Sequence, residues 1–216
     1  MTPQFLFVHG WAFDGSLWNG VRAAMGGRTG AVREAGYFGP VPAQLPVGLA
    51  SGHGPVIAVG HSLGLMQLLD TPPDALVGLV AINGFSRFAA AADHPAGVPC
   101  RLLHRMRQRL EQDADATATA FRRRCGMAPT PPGPAMRPAL RAGLELLCDG
   151  DGRETLRRLT CPVLALAGRQ DPIVPPVLTE ACFSRIAWVE AGGHLLPLTH
   201  PEHCARMLCD FADTIT

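Results

Sequence analysis

The chain has no lysine, so all 19 of its Lys/Arg residues are arginine. Glycine, proline and alanine are abundant. We read this as a compositional bias with no function of its own. No long block of like charge occurs, and the formal net charge is +1. That argues against nucleic acid as the main partner. No stretch approaches the roughly 18 uninterrupted apolar residues of a membrane span, so no membrane partner is expected. The first residues, Met1-Thr2-Pro3-Gln4, lead straight into the apolar run Phe5–Val8, with no basic n-region and no long h-region. The expectation is no signal peptide. The seven cysteines are scattered, odd in number and free of any C-x-x-C pair. A reduced, cytoplasmic protein is the simplest reading. Neither a G-x-G-x-x-G fingerprint nor a Walker loop is present, so no nucleotide cofactor is implied. His200, His203 and Cys204 have mildly metal-like spacing but read as a helix-start cluster, and no metal is expected.

What is present begins with short apolar runs: Phe5–Val8, a weaker Ala31–Glu34, Val56–Val59, Leu76–Ile82, Pro162–Gly168 and Ala187–Glu190. Helical patterns follow several of them, including one after Gly64 to about Asp70 and one from about Pro201 to Ala212. Asp14 or Ser16 is a candidate N-cap for a short helix before Met25, and Ala35–Pro40 reads as a loop. Continuous apolar strands alternating with helices predict one α/β domain with a mainly parallel sheet covered on both faces. The pattern breaks between Phe85 and about Leu159. There, arginine-rich helices are predicted at Leu102–Leu110 and Thr117–Arg124, with another at Leu140–Leu147 after the proline-dense connection Ala128–Pro138. The expected organisation is a core of residues 1–84 and 160–216 with a helical cap, 85–159, inserted over the carboxyl edge of the sheet.

Gly60-His61-Ser62-Leu63-Gly64 is a G-x-S-x-G pentapeptide between a strand and a helix. A serine hydroxyl is a poor nucleophile until it is exposed, paired with a base and given an oxyanion site. A sharp strand-to-helix turn provides the exposure. His194, in a glycine-rich loop after the last strand, is the candidate base, and Asp171, in a turn set by Pro172, is the candidate orienting acid. Asp149 and Asp151 are rival acids, but no predicted strand precedes them. His61, adjacent to the nucleophile, reads as structural. The N–H groups of Leu63 and Trp11 are the candidate oxyanion donors, and the Trp11 indole can also wall an acyl pocket. His9, Ser62, Asn83, Asp171 and His194 all follow a predicted strand end, where ligands of open α/β sheets bind.

These residues resemble the α/β-hydrolase superfamily and, within it, the pimeloyl-[acyl-carrier protein] methyl ester esterases of biotin synthesis. The likeness rests on Val8-His9-Gly10-Trp11 through Trp18, on Gly84–Phe88, and on Gly143–Leu147. It implies the α/β-hydrolase fold and a triad of Ser62, Asp171 and His194. It also implies oxyanion donors at Trp11 and Leu63 and a pocket phenylalanine at Phe121. Arg122, Arg123, Arg124, Arg137 and Arg141 would serve an acyl-carrier protein bearing the pimeloyl methyl ester. The D-x-P-G-x-G loop of those esterases is replaced by Glu34–Pro40, and the usual N-terminal hairpin is not expected before the first strand. Two other readings stand beside this one: a broad short-chain carboxylesterase, and a non-catalytic binding protein on a hydrolase fold.

Overall fold

A computed structural model describes residues 2–28, 30–39, 54–127 and 131–215. Pro40 of the predicted loop and residues 128–130 of the proline-dense connection lie outside this set. Among the described residues six strands form one sheet: β1 Gln4–Val8, β2 Gly30–Arg33, β3 Val56–His61, β4 Leu76–Ile82, β5 Val163–Gly168 and β6 Ile186–Val189. The order is β2-β1-β3-β4-β5-β6, and every pairing is parallel. The period-2 geometry of a strand sorts the apolar runs onto two faces. Phe5, Phe7, Ile57, Val59, Val80 and Ile82 enter one core cluster. Leu6, Val8, Ala58, Leu79 and Ala81 enter the other.

The helices cover both faces. A 3-10 turn, Gly15–Trp18, leads into α1, Asn19–Ala24; Asp14 is its N-cap and accepts from the Ser16 N–H. Helix α2, Leu63–Asp70, places Leu65, Leu68 and Leu69 in the second cluster. Between β4 and β5 come α3 Cys100–Gln112, α4 Ala114–Arg124, α5 Arg137–Asp149 and α6 Arg153–Arg158. The Asp113 carboxylate caps α4 by accepting from the Ala116 N–H at 2.8 Å. On α5, Leu140, Leu144 and Leu147 form the buried stripe. Helices α7 Pro176–Cys182, α8 Leu196–Thr199 and α9 Pro201–Asp213 complete the order.

The elements read from the sequence are found with ends moved by a few residues. Helices α6, α7 and α8 were not foreseen. Helix α6 has six residues and none is buried, so it carries no apolar period to detect. Helix α7 begins at the end of a proline-rich turn, which hides its start.

The sheet has one topological switch point. From β1 the chain turns to β2 on one side and then crosses to β3 on the other. Crevices at the carboxyl ends of such strands are where ligands bind in open α/β sheets. Trp11 and Ser62 follow these two strand ends.

Candidate active site

Ser62 sits on the turn between β3 and α2 with φ 53° and ψ −123°. A non-glycine residue at positive φ costs of order 1–3 kcal/mol and persists only where its surroundings enforce it. The enforcement is visible in the glycines. A Cβ on Gly64 would stand 2.2 Å from the Val8 carbonyl oxygen, and one on Gly10 would stand 2.9 Å from Ser62 Cβ. The loops after β1 and β3 therefore touch through bare backbone. The Ser62 N–H donates to the Ile82 carbonyl at 3.1 Å, and its own carbonyl accepts from Leu65 N–H.

His194 and Asp171 are buried together. His194 Nδ1 lies 2.8 Å from Asp171 Oδ2. The other carboxylate oxygen accepts from the N–H groups of Ile173, at 2.7 Å, and Val174, at 2.9 Å. Those two bonds fix the carboxylate plane, and the carboxylate in turn makes Nδ1 the donor. Nε2 is left with its lone pair, buried, and has no hydrogen-bond partner among the described residues. Such a nitrogen is available to receive a proton. No direct bond from Ser62 Oγ to Nε2 is formed, and in unliganded sites that contact commonly tightens only with substrate present.

His61 is not a rival base. Its Nε2 donates to the His194 carbonyl oxygen at 2.9 Å, and burial, followed by the neighbouring His194, pushes its imidazole well below the ordinary range. It is a strut beneath the candidate base.

The loop after β1 carries Trp11, whose indole Nε1–H donates to the Leu140 carbonyl on α5 at 2.8 Å. Among the described residues no backbone carbonyl accepts from the Trp11 or Leu63 N–H. For Leu63 this follows from its place as the first residue of α2. Glu34, in the loop that departs from the expected pattern, lies 3.1 Å from His9 Nε2 and accepts from the Gly15 N–H at 2.8 Å. It brackets the same loop from the other side.

Above Ser62 lies a cavity of about 590 Å³. Its apolar wall includes Trp11, Phe85, Phe88, Leu103, Met106, Phe121 and Leu147, and Arg109, Gln112, Asp113 and Arg124 border it. Phe121 stands edge-on to Trp11, with ring centroids 5.0 Å apart, and 6.4 Å from the His194 ring. The volume suits a small-molecule ligand or acyl group.

The arginines named from the sequence separate. Arg124 borders the cavity and donates to the Pro172 carbonyl at 3.2 Å. Arg123 and Arg137 are exposed and do not line it. Arg141 pairs with Glu111 on the outer side of α3 and α5. Arg122, expected at a docking or substrate surface, is only 2 % exposed and donates to the Ala12 carbonyl. That expectation is corrected: the guanidinium is part of the interior, between the rings of Phe13 and Phe38. Met106 and Leu103 line the cavity without having been singled out. The apolar face of α3 carried that signal.

No protein-family model matches the chain. Curated relatives do. A pimeloyl-[acyl-carrier protein] methyl ester esterase of Methylococcus capsulatus is 29 % identical, covering 97 % of this chain and 94 % of that protein. The protein of the same name from Sodalis glossinidius is 28 % identical, with 97 % and 93 % covered. Among solved structures, a bromoperoxidase from Bacillus anthracis superposes with a TM-score of 0.81 at 18 % identity, covering 99 % of this chain and 92 % of that one. An esterase from Exiguobacterium antarcticum superposes at 0.76 with 16 % identity, covering 98 % and 92 %. With its parallel sheet and the turn that carries Ser62, the chain has the α/β-hydrolase fold and is similar along nearly its whole length to these methyl ester esterases.

Proposed function

We propose that this protein is a serine carboxylesterase that hydrolyses the methyl ester of a pimeloyl group held on an acyl-carrier protein, a step of biotin synthesis. The observation that carries the chemistry is the buried Asp171–His194 pair, its Nε2 without a partner among the described residues, together with a serine held at positive φ that lines an apolar cavity. The names of the full-length relatives support the substrate.

In this reading Ser62 Oγ attacks the ester carbonyl while His194 Nε2 takes its proton. The tetrahedral oxyanion is held by the N–H groups of Trp11 and Leu63. His194 returns the proton to the leaving methoxide, and methanol departs. Water then attacks the acyl-enzyme with His194 again as base, releasing the free carboxylate and Ser62. Asp171 holds the imidazole in the productive tautomer and stabilises the imidazolium. The thioester to the carrier must survive, so only the distal ester can reach Ser62. Residues 85–159 serve as the lid that enforces this, with the acyl chain in the apolar cavity. Arg109 and Arg124 at its border offer positive charge to the carrier arm.

Turnover of the carrier-bound methyl ester, compared with p-nitrophenyl esters of short acids, tests the reading. A clear preference for the carrier-bound ester supports it. Equal or better hydrolysis of simple esters, with no rescue of biotin-free growth in a strain lacking this step, would establish a broad short-chain carboxylesterase instead. No fluorophosphonate labelling of Ser62 would point to a binding protein.

A further inference from the structure

Asn83 directly follows β4, at a left-handed φ of 47°, and is buried. Its N–H donates to the Leu166 carbonyl of β5 at 2.9 Å. Its side chain bonds through both the amide NH₂ and the carbonyl oxygen. Oδ1 accepts from the Gly168 N–H at 2.8 Å, and Nδ2 donates to the carbonyls of Gly193 at 2.8 Å and His194 at 2.7 Å. The partners fix the amide orientation: reversed, it would set NH₂ against an N–H and a carbonyl against two carbonyls.

Gly168 is the last residue of β5, three before Asp171. His194 lies beyond β6, which is two strands away from β4. Backbone pairing therefore cannot join the end of β4 to the histidine loop. That loop instead folds back over β5, so closely that a Cβ on Gly168 would stand 2.3 Å from the Gly192 carbonyl oxygen. One buried amide bonds to the acid loop on one side and to the base loop on the other. The neutral His61 supplies a second donor to the same His194 carbonyl.

We infer that Asn83 is a positioning residue, stapling the Asp171 loop to the His194 loop and so setting where His194 Nε2 points. The inference rests on the Ser62–His194–Asp171 reading. Displacements of about 1 Å at reacting groups can cost on the order of 100-fold in rate.

Two variants test it. Asn83→Asp keeps the size, the tolerance of positive φ and the acceptor for Gly168, but loses both donors to the histidine loop. Asn83→Gly keeps the backbone conformation unstrained and removes the amide. Rates are measured at 10 °C per mole of folded enzyme, on p-nitrophenyl acetate and with a fluorophosphonate probe. The expected result is a loss of about 10- to 100-fold in kcat and in labelling rate, with KM within about twofold. The downfield proton resonance of the His194–Asp171 bond should shift or broaden as well. Packing alone would lower the melting temperature but leave that resonance and the rate per folded molecule unchanged. Wild-type kcat, labelling and resonance in either folded variant would overturn the inference. Ser62→Ala, run in parallel, separates the two failures. If it is silent while the Asn83 variants run normally, only the staple falls; if it still labels and turns over, the triad reading falls too.

Discussion

Arg122 on α4 donates to the carbonyl oxygen of Ala12 across 3.0 Å. Ala12 has φ 58° and directly follows Trp11, whose indole is held by Leu140 of α5. Two helices between β4 and β5 thus grip consecutive residues of the loop that presents the Trp11 N–H. In the proposed reading, the same two helices hold both the cavity wall and the loop of the proposed oxyanion donor. Burial lowers the Arg122 pKa, and its Nε has no partner among the described residues. Replacing it with methionine removes both a hydrogen bond and the desolvation of a charge. These oppose each other, so Arg122→Met should change unfolding free energy by less than about 1 kcal/mol in urea titration. Its kcat on a small ester should nonetheless fall about tenfold, because full loss of one oxyanion donor typically costs 100- to 1,000-fold and here the donor is only loosened. Unaltered kcat in a stable variant would show that the loop keeps its shape without the arginine.

Asp171→Asn separates orientation from charge. The asparagine carbonyl can still accept from Ile173 and Val174, so the turn should survive. Its NH₂ would then face His194 Nδ1 and force the proton onto Nε2. The base would be blocked by its tautomer rather than displaced, and kcat should fall by about 10³- to 10⁴-fold with little change in melting temperature. A loss under tenfold in steady-state kinetics would remove Asp171 from the triad.

The cavity makes a prediction about chain length. Met106 lies on its wall, on the apolar face of α3. Met106→Trp should fill space that a longer acyl chain needs while leaving Ser62 untouched. Kinetics on p-nitrophenyl acetate and hexanoate should show kcat/KM for the hexanoate falling by about tenfold or more relative to the acetate, the scale of one or two misfitted methylenes. An equal effect on both esters would mean that the acyl chain runs elsewhere.

The strand ends were legible because each candidate site residue comes within five positions of the end of a continuous apolar run. Ser62 follows Val56–His61, Asp171 follows Val163–Gly168, and His194 follows Ile186–Val189. The burial of Arg122 was legible in principle. Ala114, Ala118, Arg122 and Cys125 fall at i, i+4, i+8 and i+11, the inward stripe of α4. The run Phe121-Arg122-Arg123-Arg124 drew attention to charge and away from that period. Asn83 could be placed at a strand end but not given its bonds, because its side-chain partners lie 85 to 111 residues away along the chain. Its bonds depend on how the loops after β5 and β6 fold together, which local pattern does not encode.

Glu34 ties the loop after β1 to the end of β2, and it gives a pH dependence with a definite sign. Its carboxyl is held below the ordinary value near 4.5, first by the hydrogen bond with His9, against the opposing effect of burial. A depressed folded-state pKa means the unfolded chain binds the proton more readily. The contribution is therefore complete above the unfolded value and is lost as pH falls through the lower folded one. The window lies below about pH 4.5. Glu34→Gln has no such proton to bind. Urea titrations at pH 7 and pH 3.5 should show the wild type losing more stability between the two than the variant, once other carboxylates are cancelled by the comparison. The variant should also be the weaker esterase at pH 7, since the bracket on the loop carrying Trp11 is loosened while Ser62, His194 and Asp171 are untouched. Parallel acid-stability curves for the two proteins would show that the Glu34–His9 contact contributes nothing to the fold in solution.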